Sequence, residues 1–338
     1  LEKKYWIYGF GLIGASAELG GVIGPLWGSL IVEYFDWETA FLINIPISIM
    51  IIFLMYFLPK SSISDTKIKI FDVMIFSVII ILSTYLISEY NGIDFSALII
   101  ILILLVLSSL FVVRILKKQQ NFIPNELLNY KSFMTSSFIH FFVGASLIVI
   151  MVTIPLSAST IHEMENLEIG LSLLNLTLFI GVGSILGIFI SKLSNFMALI
   201  ISGCICSIGI FLYSLNISKP PDELFFIFMI IGLGFGIYIV PIHNAGLNKI
   251  PEKIRGISSS MISFSRMIGM IFGLSIITTF GTARFSELVS GVQIFTTNTN
   301  DQKEMIESIN LAGLSVFEEL IFGALIFSFL ALFITILS

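Results

Sequence analysis

Residues 14–28 read Gly14-Ala-Ser-Ala-Glu18-Leu-Gly20-Gly21-Val-Ile-Gly24-Pro25-Leu-Trp27-Gly28, and the stretch continues through Phe35-Asp36-Trp37 to Phe41-Leu-Ile-Asn44-Ile-Pro46. Glycine at 20, 24 and 28 recurs once per helical turn, so three positions without a side chain share one helix face. Pro25 removes a backbone donor and kinks the helix. Glu18 places a carboxylate near the middle of the same apolar span. A bare stripe, a kink and an intramembrane acid suit a helix that moves against its neighbours better than a passive anchor.

Composition extends this reading to the whole chain. Of 338 residues, 57% are hydrophobic and 12% charged, with a mean hydropathy of +1.04. Soluble domains carry about 25% charged residues. Apolar runs near the roughly 20 residues needed to cross a bilayer recur from end to end. The spans fall at about 5–33, 37–58, 70–89, 95–116, 132–156, 168–190, 195–215, 223–247, 254–281 and 315–337. Pro59, Pro124, Pro220-Pro221 and Pro251 lie in the connections, where breakers belong. The chain is thus an all-α polytopic membrane protein with about ten transmembrane helices. Thr282 to Leu314 is expected to be its longest outside connection, with a short amphipathic helix over Gln302–Asn310.

The basic residues orient the spans. With residues 1–4 in the cytoplasm, inside segments hold Lys3, Lys4, Lys60, Lys67, Lys69, Arg114, Lys117, Lys118, Lys131, Lys192, Lys249, Lys253 and Arg255. Outside segments hold Lys219, Arg284 and Lys303, and Arg266 lies within a span. That skew places both termini in the cytoplasm of a multi-pass cell-membrane protein. Leu1 is not an initiator methionine, so either the start has been removed or the sequence begins inside a longer reading frame.

These motifs resemble the major facilitator superfamily, and within it the fourteen-helix drug:proton antiporter subfamily. Gly20 to Gly28 is similar to the antiporter motif of that family's fifth helix, and Trp37 to Pro46, with Asn44 and Pro46, to the start of its sixth. Ile250-Pro251-Glu-Lys-Ile-Arg255-Gly256, Arg266 to Gly273 with Gly269, and Gly232-Leu-Gly234-Phe-Gly236 resemble its C-terminal helices. Ser29, Ser48 and Asn175 depart from the family pattern. The register implies that the family's first four helices are missing, so the expected fold is an N-terminally truncated one. It implies three parts: the last two helices of the N-terminal half (1–59), two additional central helices with basic connections (60–131), and a six-helix C-terminal half (132–338).

The function implied by the resemblance is secondary transport: proton-coupled export of hydrophobic or cationic small molecules. The alternative is a non-transporting remnant, or a subunit whose partner chain supplies the first four helices. Glu18 and Arg266 are the candidates for transport and proton coupling. Glu18 reads either as a proton-binding group or as a neutral acid hydrogen-bonded to a neighbouring helix. Gly20, Gly24, Pro25 and Gly28 read as a close-packed seam, which the resemblance sets against Gly183 and Gly187 of the sixth span; a third stripe is Gly269 with Gly273. His140 reads either as a group titrating near neutral pH or as a packed residue among Phe138, Phe141 and Phe142, and His243 with Asn244 as the end of the eighth span. His162 with Glu163, Glu165 and Glu168 reads as a solvated acidic loop. Cys204 and Cys206 point about 200° apart on a helix and read as packing residues. No phosphate-binding glycine loop, triad spacing or Cys/His metal pattern is present. No enzymatic activity, cofactor, metal or nucleic-acid partner is therefore expected; the partners are a small-molecule substrate, protons and the lipid bilayer.

Overall fold

A computed structural model describes residues 20, 24, 27–57, 70–88, 95–117, 126–290 and 299–338. All its elements are helical: α1 (Trp37–Leu42), α2 (Asn44–Met55), α3 (Ile70–Ser88), α4 (Phe95–Leu116), α5 (Lys131–Thr160), α6 (Asn166–Leu193), α7 (Asn195–Ser214), α8 (Phe225–Leu247), α9 (Glu252–Val289) and α10 (Thr299–Leu337), with 3-10 turns at Leu127–Asn129 and Pro221–Leu224. Residues 27–34 are also helical. Among the described residues nine segments are long and apolar enough to cross a membrane, α1 and α2 counting as one.

The core lies in α5–α10. In the most apolar window of α5, 61% of residues are buried, and 67% in that of α8, against none for Trp37–Met55. The exposed apolar faces of the outer helices are what a lipid environment requires. Helices α5 and α8 are central: α5 packs on α9 and α10, and α8 on α6 and α7. Ser146 Oγ donates to Ala324 O at 2.8 Å to bind α5 to α10, and Ser207 and Ser328 hydroxyls meet at 2.8 Å between α7 and α10.

Glycines set the closest approaches. A Cβ at Gly183 would lie 2.6 Å from Leu233 O, and one at Gly187 2.8 Å from Ile237 O, so this stripe faces α8. Gly232 and Gly236 on α8 offer the matching bare surface: a Cβ at Gly236 would strike Ile180 O. Most of the first span, against which the family register sets this stripe, lies outside the described residues. Gly234, on the other face of α8, meets the backbone of Cys206 in α7. Cys206 is buried and Cys204 exposed, as their 200° separation requires. Along α5 and α9, a Cβ at Gly269 would strike Phe141 O, and one at Gly273 would lie 2.7 Å from Ala145 O. At Gly20, Gly24 and Gly28 a Cβ would meet no described atom within 4 Å.

Helices α3 and α4 form a hairpin that rests on α9 through α3. Phe76 contacts Phe264, and Thr279 Oγ1 donates to Ile87 O at 2.5 Å.

One boundary differs from the sequence reading. The stretch 282–314 is mostly helix: α9 runs on to Val289 and α10 begins at Thr299, absorbing Gln302–Asn310 into one continuous helix. Hydropathy marks where a helix leaves the apolar layer, whereas backbone hydrogen bonding continues beyond it. Arg284 holds the extensions together, with Nη1 2.8 Å from Glu287 and Nε 3.1 Å from Glu319 of α10.

Candidate functional site

Among the described residues, a group of ionisable and polar side chains lies where α5, α8 and α9 meet, toward the α8–α9 connection. His140 projects from α5 and is buried, its Nδ1 3.0 Å from Ile262 O of α9. His243 projects from α8, half-buried, its Nδ1 2.9 Å from Ile239 O one turn back. Its Nε2 reaches α9 at Ser263 Oγ, 3.1 Å away. The two imidazoles meet edge to face with centroids 5.4 Å apart. Arg266 stands three residues past Ser263 on α9.

Close packing places these groups. Ser265 Oγ donates to Ser137 O at 2.7 Å, and Gly144 lies so near the Arg266 backbone that a Cβ there would overlap its carbonyl. A Cβ at Gly144 would also sit 2.9 Å from Arg266 Cγ, so the arginine stem passes over bare α5 backbone. Gly246 plays the same part lower down, against Ser136 and Ile262. The arrangement brings together two imidazoles, a hydroxyl and a guanidinium among close-packed helices.

The other anticipated residues are dispersed. Glu18 and Pro25 lie outside the described residues. Asn44 is exposed, its Nδ2 3.2 Å from Ala40 O, and Pro46 stands in the first turn of α2, where proline is tolerated. Arg255 Nη2 donates to Ile250 O at 2.8 Å and ties the α8–α9 turn, while Gly256 beside it has open space. His162 precedes a helix cap: Glu165 and Glu168 form a reciprocal capping box at the start of α6, which accounts for two of that segment's acids.

Two features escaped the sequence reading. The His140–His243 contact joins residues 103 apart in chain order, on helices whose own patterns mark neither. Asp72, fully buried in the first turn of α3, accepts from Arg114 Nε at 2.6 Å. A signal was available there: an acid opening one helix and a base closing the next fall at the same end of an antiparallel pair.

Residues 1–274 match the Major Facilitator Superfamily. The chain belongs to this superfamily. Its members similar to this chain include Multidrug resistance protein 3 of Bacillus subtilis, 28% identical over 307 residues, covering 86% of this chain and 56% of that protein. A probable triacylglyceride transporter of Mycobacterium bovis is 25% identical over 305 residues, covering 83% and 59%. A triacylglyceride transporter of Mycolicibacterium smegmatis is 22% identical over 298 residues, covering 82% and 53%. The chain thus spans somewhat more than half the length of these relatives. The membership agrees with the polytopic all-α architecture.

Proposed function

We propose that this protein is a secondary transporter of the cell membrane that exports hydrophobic or cationic small molecules in exchange for protons. The observation that carries the reading is the alignment of 86% of the chain with a Bacillus multidrug resistance protein. The triacylglyceride relatives favour the hydrophobic end of that substrate class. In this reading residues 1–59 belong to an N-terminal half, 60–131 hold the additional hairpin, and 132–338 form the C-terminal half, with substrate between halves. Gly20, Gly24, Pro25 and Gly28 form the seam that alternates access, and Glu18 and Arg266 take part in coupling.

The test is retention of a lipophilic cationic dye, such as ethidium, in efflux-deficient cells. Cells expressing the chain in its complete reading frame should retain several-fold less dye, and a protonophore should erase the difference. Glu18→Gln keeps shape but cannot ionise. It should leave membrane insertion intact and weaken dye-driven proton movement in vesicles. A normal exchange ratio and pH profile for that variant would make Glu18 structural. A subunit would lower retention when co-expressed with a chain supplying further helices; unchanged retention in every arm would defeat the transport reading.

The proposed orientation has its own check. In a background with Cys204 and Cys206 replaced by serine, an impermeant thiol reagent applied outside cells should label Asn298→Cys and miss Lys118→Cys. The reverse pattern would invert the topology and with it the family register.

A further inference from the structure

We propose that His243 is a proton-binding group of the α5–α10 bundle, taking up its proton at Nε2. The inference deepens the proton-coupled reading above and rests on it for its purpose. Its basis is hydrogen-bond bookkeeping. Ile239 O can only accept, so Nδ1 of His243, 2.9 Å away, carries hydrogen. The lone pair of the neutral ring is then at Nε2, and the Ser263 hydroxyl 3.1 Å away donates to it. His140 is fixed the same way, Nδ1–H toward Ile262 O, but it is buried. His243 is half-buried, so of the two rings it is the one that water can reach.

Protonation adds one N–H bond at Nε2, the proton coming from water at the α8–α9 end. Nε2–H then donates to Ser263 Oγ, whose own hydrogen must turn to another acceptor. The ring gains a positive charge at the edge of His140 on α5, with the Arg266 guanidinium three residues past Ser263 on α9. Such repulsion is strong where water is scarce. It acts between α8 and α9, which are joined by the short turn at 248–251, and so converts proton occupancy into a force on that helix pair.

On α9 Glu252 opens the helix, exposed and eleven residues before Ser263, and Arg255 donates to Ile250 O; on α5 Lys131 is exposed at the first turn. The other described ionisable groups on elements packed against α8 lie further off. On α6 they are Glu168, at the opposite end, and Lys192, which is exposed with its ammonium 5.3 Å from the Phe189 ring. On α7 they are Cys204, Cys206 and Tyr213, and Asp222 and Glu223 lie in the 3-10 turn at the far end. Tyr238 belongs to α8 itself.

The chain has three histidines, which makes a direct titration practical. The full chain, labelled with 13C at histidine Cε1 and reconstituted in nanodiscs, is followed by NMR between about pH 5 and 8. The signal lost in His243→Gln should titrate in the unaltered protein. Ser263→Ala should move its midpoint by about half a pH unit or more, because one hydrogen-bond partner of Nε2 is gone, and should leave the His162 signal where it was. A His243 signal that stays flat across this range, or a midpoint indifferent to Ser263→Ala, overturns the assignment. Should His243 titrate as described while the complete protein moves no protons in vesicles, the site stands and the transport reading falls.

Discussion

Gly236→Leu will abolish the folded protein, whereas Gly24→Leu will leave folding intact. The contrast follows from what a side chain would meet. A Cβ at Gly236 overlaps Ile180 O and lies 2.8 Å from both Gly183 Cα and Ser184 N. All three atoms are backbone of α6, so no rotamer change relieves the clash, and the helices must separate along their whole contact. Overpacking a core costs about 1–3 kcal/mol when side chains can adjust, and this site falls at or beyond the upper end. Within lipid, no hydrophobic force pulls the helices back together, since tails solvate leucine as well as a neighbouring helix does. At Gly24 the Cβ meets no described atom within 4 Å. Size-exclusion profiles and thermal unfolding midpoints in mild detergent would measure both variants. A normal midpoint for Gly236→Leu would mean that α6 and α8 are not packed backbone to backbone. The seam proposal adds a second expectation for Gly24→Leu: export by the complete protein stops although insertion and folding persist. Unchanged export would show that the stripe is not a moving contact.

The same contrast shows what is legible in a sequence of this kind. Apolar runs and the prolines between them located the spans closely: α6 is Asn166–Leu193 where hydropathy suggested 168–190, and α8 ends at Leu247 as expected. A run long enough to cross a bilayer has essentially one backbone solution, because every amide must bond within its own segment. Helix pairing is different. Glycine spacing marked Gly183 and Gly187 as a contact face, but the partner depends on which other helix presents a matching bare surface, here Gly232 and Gly236. The polar cluster was harder still. Arg266 drew attention as a deep charge, but His243 read as a residue closing a helix, since its bond to Ser263 crosses to another element and leaves no periodic trace. At the 282–314 stretch polarity marked an outside connection with one short helix, whereas α9 and α10 continue past the apolar layer.

The buried pair between Asp72 and Arg114 should behave as one unit, with either partner far more damaging to lose alone than both together. Asp72 is fully buried, and its Oδ1 receives Arg114 Nε at 2.6 Å. The arginine side chain keeps 19% exposure, and its guanidinium carbon lies 5.1 Å from the centre of the Phe71 ring. Removing one member of a buried pair costs about 3–5 kcal/mol, because the survivor stays desolvated. The two singles should differ. Asp72→Leu leaves a long cation that can reach toward water along its stem. Arg114→Leu leaves a short carboxylate with nowhere to go, and it should be the more destabilising. In Asp72→Leu/Arg114→Leu both desolvation costs vanish and the α3–α4 contact becomes apolar, so most of the loss should be regained. Thermal midpoints of the three variants in one detergent give the coupling through a double-mutant cycle. Because α3 rests on α9 through Phe76–Phe264 and the Thr279–Ile87 hydrogen bond, the singles should also loosen that docking. A disulfide trap between α3 and α9 would then close less completely in the singles than in the double variant. Additive losses, with the double variant as unstable as the two singles combined, would show that Asp72 and Arg114 do not stabilise the hairpin as a pair.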